Sequence, residues 1–230
     1  MADLPCRPLA IAGFRGVRRA YQITSSGLLF ADGILQIFAK SPCAARVKTR
    51  LAAAIGVQAA TRLATGLIVE TVRRLADREF MRTELWYTPD PRCPVFAALR
   101  FRTALRFRPQ CGAQLGQRML FALRHGLGQA DYVVIVGTDC PALNRQYLQR
   151  ACSALREGTE LVIGPARDGG YVLLGTRVAD PHLFHGIPWG GPKVLQTTLQ
   201  RARRLGCRTL LLDPLADIDR VQDLARLSYL

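Results

Sequence analysis

The chain has 230 residues, of which 49% are hydrophobic, and carries a formal net charge of +15. That length and apolar content suit one large α/β domain with a sizeable core and exclude a disordered chain. The charge is almost wholly arginine, since only Lys40, Lys48 and Lys193 are lysines. It is scattered without aromatic interleaving or a nucleic-acid motif, so no nucleic-acid partner is expected, and a phosphorylated substrate is the better use for it.

The seven cysteines form no CxxC pair and no zinc-like spacing. They predict that most of the thiols act as small apolar residues in a reducing, cytoplasmic setting. No run approaches the roughly 20 apolar residues that span a bilayer, and no secretory signal of the usual form is expected.

In chain order, residues 1–33 follow no clear pattern and read as a poorly ordered extension; residues 34–230 read as a single domain. Ile34 to Ala39 is the first core strand, and Lys40 to Arg50 a basic loop leading into helical texture at Leu51–Ile55. Ala60, Leu63, Ala64, Leu67, Ile68, Thr71 and Leu75 recur at helical spacing between Val57 and Ala76. Glu84 to Thr88 is a second strand. Residues 91–111, with three prolines, allow a short helix and a short strand. Leu115, Met119, Leu123 and Leu127 stripe the next helix.

Asp131 to Gly137 is a near-continuous apolar run, which predicts a strand covered on both faces and ending at Thr138-Asp139-Cys140-Pro141. Asn144 is placed to cap a helix that Gly158 closes. Leu161–Pro165 and Tyr171–Gly175 predict strands on either side of Asp168-Gly169-Gly170. Pro192 predicts the first turn of a helix stopped by Gly206. Arg208–Leu212 reads as a last strand and Asp219–Leu227 as a closing helix. Strands alternating with helices predict a mostly parallel, Rossmann-like sheet with helices on both faces.

Several groups can carry chemistry. Lys40, Arg46, Lys48 and Arg50 lie within eleven residues after the first strand, where loop amides and cations can bind a diphosphate; a plain solvated basic loop is the alternative. Asp139 follows a strand at the sheet edge where open α/β folds bind ligands. With Asp217, it offers the hard oxygens that Mg²⁺ or Mn²⁺ takes beside phosphate. Asp219, just before a helix, reads as an ordinary cap, which leaves Asp217 the better ligand candidate. Gly169 and Gly170 permit close approach of backbone to a ligand, although Asp-Gly is also an ordinary tight turn. Tyr171 and Trp189 are candidates for the acceptor site. His182 and His185, one turn apart, lack a third ligand and are not taken as a metal site.

Taken in order, these pieces resemble a family of small bacterial GT-A-type glycosyltransferases that includes members linked to arsenosugar biosynthesis. The stretches are Ile37-Phe38-Ala39-Lys40-Ser41-Pro42 with Val47-Lys48-Thr49-Arg50-Leu51, Leu115-Gly116-Gln117-Arg118-Met119, and Gly137-Thr138-Asp139-Cys140-Pro141. The later ones are Ile163-Gly164-Pro165-Ala166-Arg167-Asp168-Gly169-Gly170-Tyr171, Ile187-Pro188-Trp189 and Asp217-Ile218-Asp219. The resemblance spans residues 34–226 and implies a nucleotide-diphospho-sugar transferase fold, a nucleotide-sugar donor and a small acceptor. It implies that Lys40, Lys48 and Arg50 face the donor's diphosphate, Asp139 its metal or ribose, and Asp168 the acceptor. Ala45, Gln114, Gln117, Gly190-Gly191 and Arg220 depart from the family's usual residues, and Thr138-Asp139-Cys140 is not a full DxD. Nucleotidyl transfer from an NTP and silent nucleotide binding are the alternatives within the same superfold.

Overall fold

The computed structural model describes residues 27–43, 48–103 and 105–229. Arg46, and residues 1–26 of the poorly ordered extension expected at 1–33, lie outside them. The first described residues already belong to the fold: Phe30 is buried, its amide donates to the Phe80 carbonyl, and the two rings pack 5.0 Å apart.

The strands are β1 (Gly33–Lys40), β2 (Arg82–Thr88), β3 (Arg106–Pro109), β4 (Tyr132–Gly137), β5 (Leu161–Pro165), β6 (Tyr171–Thr176) and β7 (Thr209–Leu211). They form one sheet in the order β3-β2-β1-β4-β6-β5-β7. All neighbours are parallel except β6, which runs antiparallel to both β4 and β5. The antiparallel strand follows from length. Only residues 166–170 join β5 to β6, too few for a crossover back to the same end of the sheet.

The helices are α1 (Thr49–Ile55), α2 (Val57–Leu75), α3 (Pro94–Arg102), α4 (Leu115–Leu127), α5 (Arg145–Arg156) and α6 (Val194–Arg204). Helices α2, α3 and α5 cover one face, where Ile68, Val72, Phe96, Leu148 and Leu155 meet Leu35, Leu85, Val134 and Val162. Helices α4 and α6 cover the other, where Met119, Leu123 and Ala202 meet Val133, Ile135, Ile163 and Leu174. The β4 run therefore sends alternate residues into two separate cores, the reason it carries no polar alternation.

Local expectations hold in most places. The Asn144 side chain accepts from the Tyr147 amide, and the span 91–111 contains both a helix and a strand. Three details differ. Helix α1 begins at Thr49 because Lys48, in left-handed backbone, serves as its N-cap. Pro192 lies ahead of α6, its carbonyl pressed against the Gly169 turn, so the helix starts at Val194. The closing segment Val221–Tyr229 winds as a 3₁₀-helix, its start held by Asp223, whose carboxylate accepts the Asp219 and Arg220 amides.

The cysteine expectation needs correction. Cys43 and Cys93 are joined as a disulfide, with 5.9 Å between Cα atoms, while Cys140 and Cys152 are buried free thiols as predicted. No helix among the described residues is long and apolar enough to cross a membrane.

Candidate active site at the carboxyl edge of the sheet

From β1 the chain proceeds outward to β2 and β3, and from β4 it proceeds the other way, so the strand order reverses between β1 and β4. That crevice, at the carboxyl ends of parallel strands, is where open α/β sheets bind ligands. Lys40 closes β1, and Asp139 lies just past the end of β4.

A third segment reaches this crevice from the end of the chain. Beyond β7, the Leu212 amide donates to the Ile163 carbonyl, the Leu215 amide to Pro165, and the Arg167 amide to Leu215. The segment thus extends the line of β5 and crosses to β4, where the Ile218 amide donates 2.8 Å to the Asp139 carbonyl. Ile218 is buried with Leu51 and Leu67, which docks the segment on α1 and α2. Alternation around that buried isoleucine leaves Asp217 and Asp219 less buried at the edge, beside Asp139.

Two of the cations predicted to face a diphosphate, Lys48 and Arg50, are found paired with these acids. Lys48 Nζ lies 2.8 Å from Asp139 Oδ1 and donates to the Ile218 carbonyl, with its side chain only 4% exposed. Arg50 Nη1 lies 2.7 Å from Asp219 Oδ2 in a more exposed pair. These two links, over a sequence separation that the motifs alone do not bridge, tie the basic loop to the chain's last segment.

Asp168 is exposed, and its Oδ1 accepts the Gly170 amide at 2.9 Å. Gly169 has φ +91°, and a Cβ there would fall 2.0 Å from the Pro192 carbonyl oxygen. Glycine is required by both the dihedral and the space. The Gly169 carbonyl in turn accepts the Leu195 amide, so the turn bearing Asp168 is clamped to the start of α6.

Asp217 shows how close the carboxylates are. Burial raises its pKa above the ordinary carboxylate value, and the charges of Asp168, Asp139 and Asp219 raise it further. Four acids thus share one negative field. Among the described residues no group of three or more His, Cys, Asp or Glu side chains is placed to hold a metal unaided. Asp139 and Asp217 are the two carboxylates of this field that sequence reading offers to a divalent ion, which would need substrate phosphates and waters to complete its shell.

The acceptor-site candidates separate. Tyr171 turns inward, its hydroxyl 4.0 Å from Met119 Sδ and its pKa raised by burial. Trp189 is half-buried, packs edge-on to Tyr171 at 6.3 Å, and lies so near Gly116 that a Cβ there would come within 2.8 Å of the indole. Tyr171 therefore packs against Trp189, and both residues are partly buried. Sequence reasoning missed Ser41, buried at the end of β1 with its hydroxyl unpartnered, and treated Asp219 as a cap when it is an ion-pair partner of Arg50.

The comparisons with known proteins agree with this architecture. A protein from Desulfovibrio desulfuricans G20, provisionally assigned as a nucleotide-diphospho-sugar transferase, is 32% identical over 86% of each chain, with a TM-score of 0.78. A cytidylyltransferase from Leptospira borgpetersenii is 13% identical, covering 87% of this chain and 88% of its own, with a TM-score of 0.55. The 4-diphosphocytidyl-2C-methyl-D-erythritol synthase of Anaerococcus prevotii is 12% identical over 90% and 98%, with a TM-score of 0.56. At such identities the latter two show a shared fold alone. No curated protein matches the sequence. The family model described as an uncharacterized protein conserved in bacteria (DUF2064) matches residues 71–191, more than half of the chain. The chain belongs to that family and has the Rossmann-like fold of nucleotide-diphospho-sugar transferases.

Proposed function

We propose that this protein transfers a sugar from a nucleoside-diphosphate donor to a small acceptor. The observation that carries the reading is the convergence of Lys48, Arg50, Asp139, Asp168, Asp217 and Asp219 from four separate parts of the chain at the β1/β4 crevice. The likeness to the Desulfovibrio protein supports it. The narrower resemblance, to members linked to arsenosugar biosynthesis, enters this proposal only through the small acceptor.

Departure of a nucleoside diphosphate develops negative charge, which Lys40, Lys48 and Arg50 would stabilise from the β1 side. Asp168, exposed and fixed by its turn, would take the proton of the acceptor hydroxyl. Gly169 lets the turn that carries Asp168 seat against the Pro192 carbonyl, with Trp189 available to stack on an apolar ring face. A divalent ion, Mg²⁺ or Mn²⁺, held by Asp139 and Asp217, would supply further charge neutralisation on the departing diphosphate.

The fold shared with cytidylyltransferases gives a second reading, nucleotidyl transfer from an NTP. A thermal-shift panel of UDP, GDP, CDP, dTDP, their sugars and the NTPs, with and without Mn²⁺, separates the two. A ligand at 100 times its dissociation constant adds about 2.7 kcal/mol, or roughly 5–10 °C for a chain of this size. Sugar transfer predicts a Mn²⁺-dependent shift with one nucleoside diphosphate and its sugar. A shift with an NTP alone, followed by pyrophosphate release, would favour nucleotidyl transfer. No shift with any of them would remove the donor site.

A further inference from the structure

The Lys48–Asp139 contact raises a question of occupancy. Lys48 is the only non-glycine among the described residues in left-handed backbone, at φ 49°. Its ammonium is buried at 4% exposure and is divided between the Asp139 carboxylate and the Ile218 carbonyl. These are two hard oxygen acceptors, one charged and one from the backbone, and the same types serve Mg²⁺ and Mn²⁺. The same left-handed residue that caps α1 therefore carries its ammonium to the Asp139 carboxylate. Asp139 itself is 57% exposed, so the carboxylate is open to solvent on the side away from the ammonium.

We propose that the Lys48 ammonium is a tethered counter-ion that holds the metal's place at Asp139, and that a divalent ion binds there only together with the donor, whose diphosphate draws Lys48 away. The inference rests on the donor-site reading above and adds an order of binding to it. Without donor, an incoming Mn²⁺ meets a carboxylate already neutralised at 2.8 Å and a like charge beside it. With donor, the diphosphate offers the ammonium an alternative anion, and Asp139 is freed for the metal. The left-handed backbone at Lys48 is the element that can change, since leaving that region relieves its strain.

Mn²⁺ binding to the intact protein, followed by the loss of the free-ion EPR signal, tests this without any turnover. The donor-free wild type should bind Mn²⁺ weakly, and the nucleoside diphosphate picked out by thermal shift should tighten it. Donor-free Lys48→Met should bind Mn²⁺ on the order of tenfold or more tighter than wild type, because one competing cation has been removed from Asp139. That gain should vanish in Lys48→Met/Asp139→Asn. Lys48→Gln, which keeps a donor for the Ile218 carbonyl and lacks the charge, should behave like Lys48→Met and guards against a folding defect. If both folded Lys48 variants bind Mn²⁺ no tighter than wild type, Lys48 is a fixed structural pin and the proposal is overturned. If they gain Mn²⁺ affinity while no nucleotide binds to any form, the competition at Asp139 stands and the transferase reading falls.

Discussion

Gly169 passes so close to Pro192 that a β-carbon on it would lie 2.0 Å from the proline's carbonyl oxygen. With φ +91° as well, Gly169→Ala should destabilise the fold by about 3 kcal/mol, lowering the thermal midpoint by roughly 6–12 °C. Gly170→Ala is the control. Its β-carbon would meet only the Asp168 side chain, at 3.2 Å, and that side chain can move aside. Differential scanning calorimetry of the two variants should separate them clearly, and equal midpoints would refute the packing argument.

Asp168→Asn should leave nucleotide binding intact and lower turnover by about 10²–10⁴-fold. The amide oxygen can still accept from the Gly170 N–H, so the turn is preserved while the base is lost. Single-turnover assays with a nucleotide sugar give the comparison, and an unchanged rate would exclude Asp168 as the base.

Asp217 carries a pH signature. Its pKa is raised in the folded protein by burial and by the neighbouring acids, so the folded state holds its proton more tightly than the unfolded chain does. Its contribution to stability is therefore fully present below the unfolded carboxyl pKa, about 3.9, and is lost as pH rises through the folded value. Asp217→Asn should raise the midpoint at neutral pH, with the gain shrinking as pH falls toward 4. A gain constant across that window would mean that charge is not its cause.

Reduction of Cys43–Cys93 should cost stability. The bond links residues 50 apart, the exposed Cys43 of the basic loop and the buried Cys93 at the start of α3. Chain-entropy reasoning gives about 2–4 kcal/mol for such a crosslink. Cys93→Ser under oxidising conditions should reproduce the effect of reductant on wild type, and an unshifted midpoint in both would contradict it.

Much of the fold was legible because β4 and its flanking helices carry their burial in their spacing: Val133 and Ile135 face one core, Val134 and Val136 the other. The antiparallel β6 was also legible in principle, since the five residues from Ala166 to Gly170 cannot carry a parallel crossover. The ion pairs were not. Lys48 and Asp139 meet only because β1 and β4 are neighbours, and Asp219 meets Arg50 only because Ile218 docks on Leu51 and Leu67. A local pattern reports which residues are charged; the order of strands decides which charges meet. For the same reason Tyr171, at a strand start, could not be known to meet Met119.

The most direct test is a calorimetric titration of UDP, GDP, CDP and dTDP, each with Mn²⁺, into wild type and Asp139→Asn. A donor site at the β1/β4 crevice predicts that one nucleoside diphosphate binds the wild type and that the substitution weakens it by roughly tenfold or more, through loss of the metal-dependent part. Binding of equal strength and equal Mn²⁺ dependence in Asp139→Asn would contradict the account.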